Sequence, residues 1–92
     1  MRRKDLIIVN YIVFDLEATC EDKSIDNNFD NEIIEIGAVK IKNKKVIDEF
    51  SIFVKPIKNP ILTNFCKELT QISQEDVDNG VSFKEAIELF YN

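Results

Sequence analysis

The sequence predicts an α/β chain in the order β-β-β-α-α-α, with the three strands forming an antiparallel meander. Three observations predict it. The first half carries runs of β-branched and aromatic residues with side chains alternating at period two. Only Lys42-Asn-Lys-Lys45 separates the second run from the third, which is too short for anything but a hairpin. The second half changes to helical spacing, with serines placed to cap two of its helices.

The first strand is expected over Tyr11 to Leu16, with Ile7-Ile8-Val9 and the basic start Met1-Arg-Arg-Lys as its lead-in. That apolar stretch is too short for a signal peptide or a membrane span. The strand runs into Asp15-Leu16-Glu17. Alternation puts Asp15 and Glu17 on one face, about 7 Å apart along the strand, and Phe14 and Leu16 on the other. Two acids pressed together at the end of an apolar strand are costly without a cation, so they are candidate metal ligands. The plainer alternative is a strand ending in polar residues at the surface.

Glu21 to Asn31 is polar and rich in Asp and Asn, as solvated loops are. Asp22, Ser24, Asp26, Asn28 and Asp30 alternate as in a calcium-binding loop. The glycine of the sharp turn is missing, Ile33 stands where a bidentate Glu is needed, and no helix pattern precedes it, so the loop reading is preferred.

The second strand, Glu32 to Ile41, is apolar on both faces, as in a covered sheet; Gly37 within it marks a bulge or a close approach. The third, Val46 to Lys55, is expected to turn Val46, Phe50, Ile52 and Val54 one way and Ile47, Glu49, Ser51, Phe53 and Lys55 the other. Pro56 and Pro60 end the sheet. A helix is expected over Ile61 to Leu69, with Ile61, Leu62, Phe65, Cys66 and Leu69 as its stripe. Ser73-Gln-Glu-Asp76 opens a second, closed by Asn79-Gly80. Ser82-Phe-Lys-Glu85 opens a third, with Phe83, Ala86, Ile87 and Phe90 on one side.

The chain has 92 residues, enough for one domain or part of one, and its 45% hydrophobic and 32% charged content is that of a soluble globular protein. A net charge of −5 argues against binding nucleic acid unaided, but not against meeting phosphates through metal ions. Cys20 and Cys66 lack metal-ligand spacing and there is no histidine to activate them, so reduced thiols and a cytoplasmic location are expected.

Three blocks in order carry a resemblance: Asp15-Leu-Glu-Ala-Thr19, Glu32-Ile-Ile-Glu-Ile-Gly-Ala-Val39, and Phe65-Cys-x-x-Leu-Thr-x-Ile72 with Val77 and Phe83 following. Over residues 11 to 91 the sequence resembles the N-terminal half of a DEDD-type 3′–5′ exonuclease of the histidine-containing branch. It is most similar there to the exonucleases that trim histone messenger and small interfering RNAs, and to their bacterial relatives. The resemblance implies a ribonuclease H-like mixed sheet of strand order 3-2-1-4-5, of which residues 1–92 supply the first three strands and the following helices. The second metal-binding Asp and the histidine motif of that family are absent, since His is zero. The chain is therefore expected to be a fragment, a truncated product or a half that needs its partner, and inactive alone.

The resemblance further implies that Asp15 bridges two Mg²⁺ or Mn²⁺ ions and Glu17 holds one of them. The backbone around Glu17 and Ala18 would bind the terminal nucleotide, Thr19 would orient the loop or contact the nucleotide, and Phe65 and Leu69 would stack on the terminal base. For Phe65 and Leu69 the alternative is core packing, and for Ala18 it is packing space beside the sheet. Glu35 is read as a structural or solvent-facing acid, with an auxiliary role at the metal as its alternative. The lysines at 40, 42, 44 and 45 read as a solvated hairpin tip rather than a backbone clamp. The implied partner is a single-stranded 3′ end, RNA favoured over DNA. A competing expectation is a non-catalytic nucleic-acid-binding or assembly module that self-associates through the open edge of the first strand. A plain metal-binding domain is a third.

Overall fold

The computed structural model describes residues 10–91, so the expected lead-in at residues 1–9 lies outside the described residues. The elements are β1 (Asn10–Ala18), β2 (Ile33–Lys42), β3 (Lys45–Phe53), α1 (Asn64–Thr70), α2 (Gln74–Asp78) and α3 (Phe83–Phe90). The sheet has the order β1-β2-β3 and both pairings are antiparallel, the meander expected.

The β2–β3 hairpin turns more tightly than expected. Lys42 pairs with Lys45, so only Asn43 and Lys44 form the loop, both at positive φ (51° and 65°). Such a two-residue turn matches the right-handed twist of the strands. The register slips between Lys40 and Ile41, with Lys40 opposite Asp48 and Ile41 opposite Val46, so Ile47 is an extra residue. This corrects the expected facing of Val46. Beyond the bulge it shares the face of Val39 and Glu49, not that of Phe50, because a one-residue slip reverses the sides.

One face of the sheet is covered and the other is open. Ile34, Ile36 and Ala38 are buried. Ile36 clusters with Val54 and Ala86, against which Phe50, Ile52, Val81 and Ile87 pack. Phe90 continues this layer, its ring 5.1 Å from Phe14 and 5.7 Å from Phe50. A second cluster joins Ile34 to Leu62, Cys66, Ile72 and Val77, with Cys20 and Phe53 against it. Phe53 therefore packs into the core, although it was expected to turn away with Glu49 and Ser51.

The first helix is shorter and starts later than the spacing predicts. Thr63, not Ile61, starts α1: its hydroxyl accepts the Cys66 N–H at 3.0 Å. This splits the expected stripe, burying Leu62 and Cys66 and leaving Ile61 and Leu69 exposed. Ser73 and Asp76 form the expected capping box on α2, and Ser82 caps α3 through the Glu85 N–H.

Gly80 follows α2 for a different reason than a left-handed helix end. A Cβ there would lie 2.8 Å from the Phe53 carbonyl oxygen and 3.0 Å from the Lys55 nitrogen. Only glycine lets this segment reach β3, where Val54 and Val81 form a parallel bridge. Val81 N–H donates to Phe53 O at 3.1 Å and Lys55 N–H to Val81 O at 2.8 Å, covering that end of the β3 edge.

β1 is the other edge, and among the described residues nothing covers it. Tyr11, Ile12, Val13, Phe14 and Leu16, which point to both faces, are all more than half exposed. Such a strand belongs in the middle of a covered sheet, as the 3-2-1-4-5 order implies.

Candidate active site

Asp15 and Glu17 stand on the open face of β1, away from Phe90 and Ala86. Their cross-strand partners are Gly37 and Glu35 respectively, which fixes all four on one face. Immediately beyond, the register shifts between Glu17 and Ala18, so a bulge ends regular pairing right after the second acid. Bulges of this kind re-aim the chain beside functional groups. Gly37 leaves the floor beside Asp15 clear: a Cβ there would only touch Asp15, 3.5 Å from its carbonyl oxygen. Asp15, Gly37, Val13, Val39, Glu49 and Ser51 line a groove of about 490 Å³ on this face. Ser51 Oγ donates to Glu35 Oε2 at 3.4 Å.

Past Ala18 the chain is held by a knot of hydrogen bonds. Thr19 is 1% exposed. Its N–H donates to Glu32 O at 2.8 Å, and its hydroxyl accepts the Glu32 N–H at 2.8 Å. Its carbonyl accepts Asn31 Nδ2 at 2.7 Å. These groups of Thr19 face inward and are engaged within the chain. The role of orienting the loop is the one its bonds support.

The knot extends to the segment after β3. The Glu32 carboxylate accepts the backbone N–H groups of Ile57 (2.8 Å) and Asn59 (2.7 Å), and Asn59 Nδ2 donates to Asp30 O at 2.8 Å. An exposed Lys58–Asp30 ion pair at 2.8 Å adds little to it. Sequence reasoning missed Glu32, Asn31 and Asn59, since their partners lie far apart in the chain.

The acids of the 21–31 loop are spent on local turns. Asp22 Oδ1 accepts the Ser24 N–H at 2.9 Å and its hydroxyl at 2.8 Å, which holds the Asp22 carboxyl below its ordinary pKa. Asp26 Oδ1 accepts the Asn28 N–H at 3.0 Å. Among the described residues no three His, Cys, Asp or Glu side chains converge as a metal site, in this loop or elsewhere. The calcium-loop pattern therefore has no counterpart in the fold.

α1 docks directly on the end of β1. Cys66 Sγ donates to Ala18 O at 3.7 Å, and Thr63 Oγ1 donates to Cys20 O. Cys20 and Cys66, distant in sequence, meet here as free thiols. Burial, then hydrogen bonding and charge from Cys66, push the Cys20 thiol from 9.0 up to about 11. The docking sets Phe65 beside the end of β1. Phe65 is 37% exposed and Leu69 67% exposed, so neither belongs to the core, as the alternative for them supposed. Phe65 lines a cavity of about 450 Å³ with Cys20, Phe29 and Asn31.

The lysines do not join the carboxylates. Lys40 pairs with Asp48 and continues the face of Ala38, and Lys42 and Lys45 follow it, on the helix side of the sheet. Asp15 and Glu17 supply hard oxygen donors, the chemistry that suits Mg²⁺ or Mn²⁺ rather than a soft metal. They offer two such donors, and the described residues bring no third to the same point.

The exonuclease (RNase_T) family model matches residues 12–92. The 3′–5′ exonuclease eri1 of Schizosaccharomyces pombe is 40% identical over 79 residues, which are 84% of this chain and 26% of that protein. The probable 3′–5′ exonuclease KapD of Bacillus subtilis is 42% identical over 77 residues, 83% of this chain and 38% of that one. The chain thus spans between about a quarter and two-fifths of the length of these relatives. Among solved structures, the nuclease domain of 3′hExo, a DEDDh family member bound to rAMP, superposes with a TM-score of 0.84 at 32% identity, covering 89% of this chain and 42% of that one. A 3′-exonuclease in 3′-end-specific recognition of the histone mRNA stem-loop gives 0.83 at 32% identity, over 88% of this chain and 28% of that one. The three strands and their helices thus have the ribonuclease H-like fold of these nucleases. With its open-face carboxylates, its docked first helix and these matches, the chain belongs to the exonuclease (RNase_T) family.

Proposed function

We propose that the chain is the N-terminal part of a metal-dependent 3′–5′ exonuclease acting on single-stranded ends, RNA in preference to DNA. The single observation that carries the proposal is the pairing of Asp15 and Glu17 on one open sheet face, opposite a glycine, at the end of an otherwise apolar strand. Support for the metal comes from the metal dependence of the DEDDh exonucleases it is related to. Support for RNA comes from relatives described with the histone mRNA stem-loop and with rAMP.

Asp15 and Glu17 would hold the ions. Divalent ions bound there would activate the attacking water and stabilise the leaving 3′ oxygen. The chain's own part is to hold and to orient. The bulge after Glu17 and the Thr19 knot fix the backbone of Glu17 and Ala18, against which the terminal nucleotide would rest. Phe65 and Leu69, on the helix whose Cys66 docks against Ala18, present exposed apolar surface suited to stacking on an unpaired base. With two carboxylates and no histidine, the chain by itself lacks a full two-metal site and its base, so orders of magnitude in rate should be missing.

The test uses a 5′-labelled single-stranded oligoribonucleotide with Mn²⁺ or with chelator. The chain should bind it only with metal, should prefer a free 3′-hydroxyl over a 3′-phosphate, and should lose binding in Asp15→Asn. Binding that ignores metal, 3′ end and Asp15 alike would overturn the proposal. Rapid stepwise trimming by the 92-residue chain would refute its incompleteness.

The alternative of an assembly module has one observation in its favour, the exposed apolar β1 edge. It concerns a different surface from the carboxylate face and is tested by mass in solution.

A further inference from the structure

Glu35 is the acid left unexplained on the open face. It lies directly across β1–β2 from Glu17, so the two Cβ atoms stand about 4.5–5.5 Å apart, a placement that is destabilising for like charges. Among the described residues neither carboxylate is paired with a lysine; the ion pair there, Lys58–Asp30, belongs to the loop knot. The neighbouring rung is Asp15 opposite Gly37, where no side chain fills the space between the acids. Asp15, Glu17 and Glu35 thus share one face around the empty position at Gly37, without the three converging on a single point. From the third strand, Ser51, itself opposite Gly37, donates to Glu35 at 3.4 Å.

We propose that Glu35 is a positioning residue for the cation held by Asp15 and Glu17, acting through the cation's own water. The inference rests on the metal reading given above. A hard cation such as Mg²⁺ keeps several waters when two carboxylates bind it, and those waters need acceptors. Glu35 offers one on the adjacent strand, hydrogen-bonded to Ser51. The cation offsets the repulsion between Glu17 and Glu35, which otherwise weighs on the fold. Acceptors of this kind change metal affinity about 10- to 100-fold when removed.

The test is thermal unfolding of the chain, metal-free and across a Mn²⁺ titration at constant ionic strength. Glu35→Gln should melt higher than the wild type without metal, because a like-charge contact is gone. It should also need about ten-fold more Mn²⁺ for half of the metal-induced rise. Ser51→Ala should move the Mn²⁺ midpoint the same way by less. Asp48→Asn, on the helix side of the sheet opposite Lys40, should leave it unchanged. Asp15→Asn should abolish the rise. An unchanged midpoint in Glu35→Gln, with Asp15→Asn abolishing the rise, overturns the role of Glu35 and leaves the metal site standing. A rise lost as completely in Glu35→Gln as in Asp15→Asn makes Glu35 a direct ligand and overturns positioning. An equal shift in Asp48→Asn reduces the effect to bulk charge and overturns the role of Glu35. A Mn²⁺ response absent from the wild type, or retained in Asp15→Asn, overturns the metal site itself and this inference with it.

Discussion

Replacing Thr19 by Val separates its hydroxyl from its shape. The Thr19 side chain is buried, and Val keeps nearly the same volume while removing the oxygen that accepts the Glu32 N–H at 2.8 Å. The backbone bonds of the knot, Thr19 N–H to Glu32 O and Asn31 Nδ2 to Thr19 O, survive the change. One donor is left without its partner, which costs about 1–3 kcal/mol. Thr19→Ser keeps the oxygen and loses one methyl, about 1 kcal/mol with its small cavity. For a domain of this size each kcal/mol moves the melting temperature by about 4–8 °C. Urea and thermal unfolding followed by circular dichroism should therefore rank wild type above Thr19→Ser, and Thr19→Ser above Thr19→Val. A Thr19→Val chain as stable as the wild type, or more stable than Thr19→Ser, would refute the hydroxyl as the joint between β1 and the loop.

Three further outcomes follow from other parts of the fold. Gly80→Ala forces a Cβ to within 2.8–3.0 Å of the β3 backbone and should cost about 1–3 kcal/mol in the same unfolding assay. The Cys20 thiol titrates near 9.0 when unfolded and about 11 when folded, so its contribution to stability is complete below pH 9 and is lost as pH rises through 11. Unfolding measured across that range should fall more steeply for the wild type than for Cys20→Ala. On the exposed β1 edge, Val13→Lys should suppress concentration-dependent association in light scattering; a wild-type chain monomeric at every concentration would remove the case for edge pairing.

Much of this fold is legible in local pattern. The alternation along Tyr11–Glu17 puts both acids on one face, and the registered partners of Asp15 and Glu17 agree with it. Ser73 and Ser82 announce their helices because capping chemistry acts within one turn. The β3 bulge was hidden because Val46 and Ile47 are both apolar, so a slip of one residue leaves the pattern intact. Gly80 reads from sequence as a helix end; only the approach to Phe53 reveals its purpose. Glu35 gained meaning only from the register, since nothing along β2 says which residue will stand opposite it. Phe65 and Leu69 looked like half of a core stripe until the Thr63 cap fixed which side of α1 faces inward. The Thr19 knot joins residues 12 to 40 positions apart, a distance at which a single sequence carries no signal.

The most direct test of a cation at the carboxylate pair is paramagnetic broadening of backbone amide signals in the ¹⁵N-labelled chain on adding Mn²⁺. Asp15, Glu17, Glu35 and Gly37 should broaden first, leaving the acidic 21–31 loop sharp, and Asp15→Asn should restore them. Broadening centred on Asp22 and Asp26, or spread evenly over the exposed acids in both proteins, would contradict a metal site on β1.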